Sequence, residues 1–273
     1  MINKSKSGKK KSETDIYSKS LESVNDDVVA WAQDTQDQLQ SLQSLATYRK
    51  NFVGNVSHEL KTPIFSIQGY LHTLLDGGIH DEKINIKFIK RAADNAERLK
   101  NIVDDLEAIS RLESGELILD VEKFDIKELM LDVIEELSVI AKKRKIKLRL
   151  KESASPSFMV VADKSSIRQV ISNLLMNSIK YGEKDGKTRV SFYDMDATVL
   201  VEISDNGLGI SEEHHKHLFD RFYRVDESRS RDAGGSGLGL SIVKHILEAH
   251  GQIINVRSTE NVGSTFGFTL QKA

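Results

Sequence analysis

A long amphipathic helix occupies the first third of the chain and limits what the rest can fold into. From Asp26, over about fifty residues, apolar side chains recur at intervals of three and four or at sums of these, which is typical of one helix face. The 273 residues include only two prolines, Pro63 and Pro156, so little interrupts this pattern. The recurring positions are Trp31, Leu42, Leu45, Phe52, Val56, Leu60, Ile67, Leu71 and Leu74. A helix this long indicates a bundle or a coiled coil.

A second amphipathic helix follows after a short break. The segment DGGIHDEK ends the first helix at Gly77 and Gly78. A heptad-like series comes next, at Phe88, Ala92, Leu99, Ile102, Leu106 and Ile109. Two long helices joined by a short turn predict an antiparallel hairpin. Because each helix has only a narrow apolar stripe, we expect two hairpins to pair as a homodimeric four-helix bundle.

Strand and helix patterns are mixed in the remainder of the chain. Candidate strands lie at 147–151, 158–162, 189–193, 200–204, 253–258 and 265–270, and candidate helices at 126–143, 164–181, 212–219 and 241–250. The segments DMDA and TENVGS each indicate a hairpin turn. We therefore predict a multidomain chain: an unstructured tail over 1–24, a signalling helix over 25–50, an all-α hairpin over 51–119 and an α/β sandwich (α+β) over 120–273.

Composition excludes several classes of protein. A net charge of −2 and a pI near 6.5 give no electrostatic case for nucleic acid as a partner. The chain has no cysteine, which excludes disulfides and thiolate metal sites and suits a reducing compartment. No apolar run approaches the ~18 residues of a membrane span. The lysine-rich start MINKSKSGKKKS is either a solvated tail or expression remnant, or a basic segment beside a removed membrane span.

Polar residues share one face of the helix predicted over 164–181. In NLLMNSIKYG, Asn173 and Asn177 lie four residues apart, and Lys180 and Tyr181 follow one turn later. An amide oxygen is a suitable ligand for Mg²⁺, which keeps waters and phosphates in its other positions. A solvated helix face would also explain these residues.

A glycine-containing turn follows the strand predicted at 200–204. In DNGLGI, Gly207 and Gly209 allow the backbone to turn tightly and to approach a ligand, and Asp205 can accept a hydrogen bond from an exocyclic amine. An ordinary turn is the alternative.

A glycine-rich loop opens into the last predicted helix. In GGSGLGLSIVK, the glycines Gly235, Gly237 and Gly239 precede a helix N-terminus, whose free N–H groups suit phosphate. The loop lacks the Gly-Lys-Ser/Thr of a P-loop, and a plain flexible loop is the alternative.

Taken in order, these clusters and the segment LFDRFYR match the N, G1, F and G2 boxes of the histidine kinase ATP-binding domain, which the chain resembles from Phe124 onward. That domain belongs to the superfamily shared with gyrase B, the heat-shock-90 chaperones and MutL. The resemblance implies ATP and Mg²⁺ as cofactors, with the metal on Asn177 and Asn173 beside it. It implies that Asp205 accepts a hydrogen bond from the adenine amine, in a pocket shaped by Gly207 and Gly209. The remaining implied roles are phosphate or ribose binding for Lys180, Tyr181 and Arg224, and the lid hinge and phosphate cradle for Gly235, Gly237, Leu238 and Gly239. The polar stretch VDESRSRDAG is expected to form a mobile lid.

The segment SHELKTP lies within the first helix. With Val56 as reference and about 100° per residue, Leu60 lies roughly 40° round and His58 roughly 200° round, so His58 points away from the apolar seam. A neutral imidazole has one ring nitrogen available as a nucleophile, and the adjacent Glu59 can orient the ring and take its proton. Thr62 lies one turn further on the same face. An incidental surface histidine is the alternative.

SHELKTP also matches the phosphoacceptor motif of dimerising histidine kinases, as H-E-x-x-T-P. From Asn51 onward the chain therefore resembles the cytoplasmic region of sensor histidine kinases, and in particular their phosphate-responsive branch. This resemblance implies autophosphorylation of His58 and transfer to an aspartate of a response regulator receiver domain, docked over Thr62, Phe65 and Gln68. It also implies that Thr62 supports removal of phosphate from the regulator, and it favours a membrane tether or sensor domain upstream.

Three other functions stay open on the sequence. The chain could be a nucleotide-binding signalling scaffold without kinase activity, a gyrase-like or chaperone-like ATPase, or a Ser/Thr kinase that does not need His58. A cluster of His214, His215 and His217 could suggest a metal site, although a solvated helix face explains it more simply.

Overall fold

The computed structural model describes residues 5–113, 119–151, 155, 157–225 and 236–273. Contacts divide the chain into two units, of which the first ends at His58 and the second runs from Glu59 to Ala273. The predicted lid, 225–234, lies outside the described residues except for Val225. Within the described part of the chain, no helix carries an apolar stretch long enough to cross a bilayer.

Helix α1 spans Ser5–Leu75 and includes Pro63. The sequence predicts an unstructured tail over residues 1–24, but the helix already begins at Ser5, in a proline-free segment with five lysines, which form helices well. In the first unit, Trp31 and Leu42 of the predicted apolar face are 70% and 62% exposed. The long helix is confirmed, and these two side chains are uncovered in the single chain.

The second unit begins with the last part of α1 and an antiparallel partner. A 3-10 turn at Gly78–His80 leads into helix α2, Asn85–Glu113. Near the turn, the rings of Tyr70 and Phe88 lie 5.4 Å apart between centroids. Further from the turn, Glu59 contacts Arg98. Because the contacts pair residues at increasing distance from the turn on both helices, the predicted antiparallel hairpin is confirmed.

An α/β domain follows the hairpin. Its elements are β1 (Val121–Asp125), α3 (Ile126–Arg144), β2 (Lys147–Leu150), β3 (Met159–Asp163), α4 (Lys164–Tyr181), β4 (Lys187–Met195), β5 (Thr198–Asp205), α5 (Glu212–His215), α6 (Gly239–Ala249), β6 (Ile254–Thr259) and β7 (Gly263–Gln271). The main sheet has the order β2-β4-β5-β7-β6, with β2 parallel to β4 and the other pairs antiparallel. Strands β1 and β3 form a separate antiparallel pair. Helices α3, α4 and α6 bury their apolar faces in one core with the main sheet.

Most predicted elements agree with this architecture. The hairpins β4–β5 and β6–β7 are confirmed at the predicted turns. Strand β1 is missing from the sequence prediction, because only Phe124 of its first four residues is buried and so short a pattern gives no clear alternation. The helix predicted over 212–219 ends at His215, and turns continue to Phe219.

Side-chain caps fix where the helices of this domain begin. The Asp125 carboxylate accepts a hydrogen bond from the N–H of Lys127 at the start of α3. The Asp163 carboxylate accepts one from the N–H of Ser166 at 2.9 Å at the start of α4. Each bond satisfies a helix N–H group that has no intrahelical acceptor. The cap at Asp163 thereby fixes the start of the helix that carries both asparagines.

Candidate functional site

A cavity of about 560 Å³ lies between α4, the loop after β5 and the β6–β7 turn. This volume falls in the range of small-molecule sites. The residues that line it are Asn177, Ser178, Tyr181, Asp205, Leu208, Gly209, Ile210, Ser211, Glu213, His214, Leu218, Tyr223, Arg224, Val225, Leu240, Glu260, Asn261, Ser264 and Phe266. Asn177, Tyr181, Asp205, Gly209 and Arg224, which come from three separate motifs, are thus brought to one cavity.

Asp205 presents a recessed carboxylate to this cavity. Its Oδ1 accepts hydrogen bonds from the backbone N–H of Gly207 at 2.9 Å and of Ser264 at 3.3 Å. Burial raises the pKa of Asp205, and these two hydrogen bonds oppose the rise. Neither bond uses Oδ2. The side chain is therefore held rigidly by one oxygen while the other can accept a hydrogen bond from a ligand.

Glycine at position 209 is required by the close approach of two loops. Gly209 has a φ of 65°, and a Cβ there would lie 1.9 Å from the carbonyl oxygen of Thr259. At Gly207, a Cβ would lie 2.5 Å from the carbonyl oxygen of Tyr181. The loop DNGLGI is thus packed between α4 and the β6–β7 turn, which shapes one wall of the cavity.

Only two of the four predicted polar residues of α4 line the cavity. Asn177 and Tyr181 line the cavity, whereas Asn173 and Lys180 are not among its lining residues. The Nδ2 of Asn173 is buried and has no hydrogen-bond partner. Such a group is rare in a folded protein, and it makes the Asn173 amide a candidate donor to a bound ligand. The sequence expectation that these residues act together stays a prediction for Asn173 and Lys180.

The glycine-rich loop is described only in part. Gly235 lies outside the described residues. Gly237 has a φ of 76°, and its carbonyl accepts a hydrogen bond from the N–H of Phe222 at 2.9 Å. Leu238 is fully buried in the core, so only its backbone could contact a ligand. Gly239 begins α6, and a Cβ there would meet Asn173 Oδ1 at 3.5 Å. In the described part of the loop, these glycines border Asn173 and Phe222 rather than the cavity.

Glu59 is held by two arginines that the sequence does not single out as its partners. Its Oε2 accepts hydrogen bonds from Nη2 of Arg98 and from Nη2 of Arg224, both at 3.1 Å. The side chains of Glu59, Arg98 and Arg224 are 16%, 19% and 8% exposed. Arg224, one of the residues expected to reach the nucleotide, therefore also contacts the residue after His58.

A second polar contact joins α2 to the glycine-rich loop before α6. The hydroxyl of Ser236 donates a hydrogen bond to Asp105 at 2.8 Å. Burial raises the pKa of Asp105, an effect that this bond and the nearby Lys180 oppose. Burial lowers the pKa of Lys180, and the neighbouring arginines Arg98, Arg144 and Arg224 lower it further against the attraction of Asp105. The sequence gives no signal for Asp105 beyond its place next to the apolar seam of α2.

The residues of the SHELKTP segment differ in exposure. His58, in the first unit, is exposed on α1, as the helical phase predicts. In the second unit, Thr62 is exposed and its carbonyl accepts a hydrogen bond from the hydroxyl of Ser66 at 3.0 Å. Pro63 is buried. The histidine and threonine therefore both present side chains to solvent.

The three histidines near α5 do not form a metal site. Among the described residues, no group of three or more His, Asp or Glu side chains could hold a metal ion. His214 is hydrogen-bonded to the hydroxyl of Tyr223 at 2.7 Å, and His217 to Asp220 at 2.7 Å. His214 also lines the cavity, so the expectation of a merely solvated helix face is wrong for this residue.

Two protein families match separate parts of the chain. Residues 48–115 match the His Kinase A (phospho-acceptor) domain, and residues 162–273 match the histidine kinase-, DNA gyrase B-, and HSP90-like ATPase family. The phosphate regulon sensor protein PhoR of Haemophilus influenzae is 32% identical over 245 residues, which cover 90% of this chain and 56% of that protein.

Two solved structures share the architecture. The Acinetobacter baumannii histidine kinase AdeS matches with a TM-score of 0.63 at 29% identity, over 78% of this chain and 97% of that one. Histidine kinase ThkA, in complex with the response regulator protein TrrA, matches with a TM-score of 0.65 at 27% identity, over 82% of this chain and 61% of that one. The chain belongs to the sensor histidine kinase family. It spans about half the length of the curated relatives that it matches, 56% and 50% of two PhoR proteins.

Proposed function

We propose that this chain is the kinase region of a two-component sensor, which uses Mg-ATP to phosphorylate His58 and then passes the phosphoryl group to an aspartate of a response regulator. The observation that carries the proposal is the cavity in which Asp205, Gly209 and Asn177 meet. A recessed carboxylate with one oxygen available suits an adenine amine, and Gly209 lets the loop after β5 pack against Thr259 and shape the wall beside that carboxylate.

The residues around the cavity fit a bound metal–nucleotide pair. Asn177 would hold Mg²⁺ through its amide oxygen, with Asn173 beside it. Because no cluster of three or more His, Asp or Glu occurs among the described residues, the cation would need phosphate oxygens and water to complete its shell, as Mg²⁺ commonly does. When bound, it would neutralise phosphate charge. Tyr181 and Arg224 line the same cavity and could contact the ribose or the phosphates.

His58 would act as the nucleophile. One imidazole nitrogen attacks the γ-phosphorus, the bond to the β–γ bridging oxygen breaks, and ADP leaves. The proton on the other ring nitrogen is oriented or taken by Glu59. The same phosphoryl group then moves to a carboxylate oxygen of the regulator, which regenerates the imidazole. Alignment and charge neutralisation supply most of the rate in such transfers.

We also propose that the chain works as a homodimer through its helical hairpin. In the second unit, Leu71 and Val103 are 48% and 50% exposed, although Leu74 and Ile102 of the same two helices are buried. A second copy of the hairpin would bury such side chains in a four-helix bundle. Sedimentation analysis of the native chain tests this assembly.

The regulator is the second proposed partner. The likeness to ThkA, a kinase whose structure contains the response regulator TrrA, supports a receiver domain docked over Thr62, Phe65 and Gln68. Thr62, Phe65 and Gln68 are all exposed. Thr62 would then support removal of phosphate from the regulator. We place this activity in the cytoplasm, with a tether or sensor region upstream, by analogy with the PhoR sensor proteins.

Labelling with γ-labelled ATP tests the proposal. The native chain with Mg²⁺ should take up label that is lost in acid and kept in alkali, which is the behaviour of phosphohistidine, and His58→Gln should take up none. Nucleotide binding by both proteins, measured with a fluorescent ATP analogue, serves as the control. If neither protein is labelled while both bind nucleotide, the chain is a nucleotide-binding scaffold or an ATPase.

A further inference from the structure

Glu59 accepts hydrogen bonds from two arginines at a single oxygen. Arg98 reaches Oε2 from α2, and Arg224 reaches the same oxygen from the loop after α5. Neither bond uses Oε1. All three side chains are less than one fifth exposed. One carboxylate oxygen is thus shared by two largely buried arginines.

The two arginines differ in how they are anchored. Arg224 lies in a loop and lines the nucleotide cavity, so its guanidinium can reach either Glu59 or a ligand in that cavity. Arg98 lies within α2, one turn before Ile102, which is 1% exposed. It is not among the lining residues of the cavity. Arg98 can therefore stay on Glu59 when Arg224 turns to a ligand.

An unsatisfied donor on Arg98 indicates a second arrangement of this pair. The Nε of Arg98 is buried and has no hydrogen-bond partner. Arginine commonly binds a carboxylate through two parallel hydrogen bonds. If Arg224 leaves, the Glu59 carboxylate can rotate to accept from both Nε and Nη2 of Arg98. The bond lost with Arg224 would then be replaced, and the unpaired donor would be satisfied.

We propose that Arg98 is a positioning residue that holds Glu59 during phosphoryl transfer, while Arg224 exchanges between Glu59 and the phosphates of the nucleotide. The inference rests on the proposed kinase function and adds a residue outside the nucleotide motifs. Arg98 acts through Glu59, since its bond in this structure is to that carboxylate. Each oxygen of the Glu59 carboxylate has more than one lone pair, so a carboxylate held by Arg98 can still accept the proton that the proposed function assigns to it.

The first test separates positioning from nucleotide binding. In the full chain, Arg98→Met should lower the rate of autophosphorylation at saturating ATP by about tenfold or more, since small misplacements of reacting groups have such effects. The affinity for a fluorescent ATP analogue should stay within about twofold of native, because Arg98 does not line the cavity. Arg98→Lys keeps the positive charge but has no second donor corresponding to Nε. Its rate of autophosphorylation should therefore lie between those of the native chain and of Arg98→Met. Arg111→Met is the matched control on α2, because the Arg111 side chain is 67% exposed and its pairing with Glu107 should matter little.

The second test examines the exchange of Arg224. Glu59→Gln weakens the hold on Arg224 and should increase the affinity for the nucleotide analogue, although labelling falls. The double variant that carries both Glu59→Gln and Arg98→Met should lose about as much autophosphorylation rate as Glu59→Gln alone. The reason is that the two residues act as a unit.

Three results would overturn the inference. They are an unchanged rate in Arg98→Met, additive losses in the double variant, or a lower nucleotide affinity in Glu59→Gln. Circular dichroism and thermal melting of Arg98→Lys and Arg98→Met identify a variant that fails to fold. If the native chain itself takes up no label, the proposed function fails, and the nucleotide-affinity measurement on Glu59→Gln still decides the exchange of Arg224.

Discussion

Replacing Asp205 with asparagine should reduce nucleotide binding and at the same time stabilise the domain. Oδ1 of Asp205 accepts from the N–H groups of Gly207 and Ser264, and an asparagine amide oxygen can accept both bonds. The other oxygen becomes an NH₂ group, which would place a donor against the adenine amine. A hydrogen bond to a charged group contributes about 1.5–3 kcal/mol, so nucleotide affinity should fall by roughly 10- to 150-fold.

The stability of Asp205→Asn should change in the opposite direction. Because burial raises the pKa of Asp205, the folded protein binds this proton more tightly than the unfolded chain does. The contribution of this carboxyl to stability is therefore fully present below its unfolded pKa and is lost as the pH rises through the raised folded pKa. Asparagine carries no charge, so the variant should melt at a higher temperature than native at pH 7, and the difference should shrink toward acid pH.

Titration with a fluorescent ATP analogue and thermal melting between pH 4 and 8 measure both effects. Asp194→Asn is the matched control, because Asp194 lies on β4 and its side chain is 51% exposed in a pair with Lys272. If Asp205→Asn binds the ATP analogue with unchanged affinity, the Asp205 carboxylate does not accept a hydrogen bond from the adenine base. A lower melting temperature at pH 7 would refute the argument from burial.

Four further outcomes follow from single features of the structure. Gly209→Ala should weaken nucleotide binding in titrations, because its φ of 65° adds about 1–3 kcal/mol of strain and a Cβ would force the Thr259 carbonyl away. Asp163→Ala should lower the free energy of unfolding by about 0.5–2 kcal/mol in urea titrations at pH 7. Burial alone would raise the pKa of Asp163, but hydrogen bonds, first that from the N–H of Ser166, lower it, so this loss should disappear as the pH falls through the lowered folded pKa. Ile109→Ala should lower the free energy of unfolding by about 2–5 kcal/mol, because Ile109 of α2 is fully buried in the core of the α/β domain. Removing Mg²⁺ with EDTA should abolish labelling and weaken nucleotide binding, and equal labelling with and without EDTA would contradict the proposed metal site.

Local patterns in the sequence predict much of this structure. The hairpin follows from apolar spacing, and the β4–β5 and β6–β7 turns follow from their own few residues. The placement of Asp205 and Gly209 at a ligand-sized cavity is also predicted, because a strand followed by DNGLGI fixes the local backbone.

Contacts between distant parts of the chain could not be predicted in the same way. Glu59 meets Arg98 and Arg224, which lie 39 and 165 residues away in sequence. The sequence singles out Arg224 only as a candidate phosphate or ribose ligand, and nothing in it marks either arginine as a partner of Glu59. Likewise, His214 gains its place in the cavity wall only because the chain around α5 packs beside β6. Such partners depend on tertiary packing, which periodicity does not encode.

The order of strands in the main sheet has a consequence for how the domain is made. Strand β7 is the last of the sheet to leave the ribosome, yet it lies between β5 and β6. Its first residues also close the cavity beside Asp205, where a Cβ on Gly263 would meet the carbonyl oxygen of Asp205. Until β7 has been synthesised, β5 has an unpaired edge and the cavity lacks a wall. A nascent chain should therefore acquire nucleotide binding in a single late step, and products that stop before Gly263 should be substrates for proteolysis rather than partly active kinases.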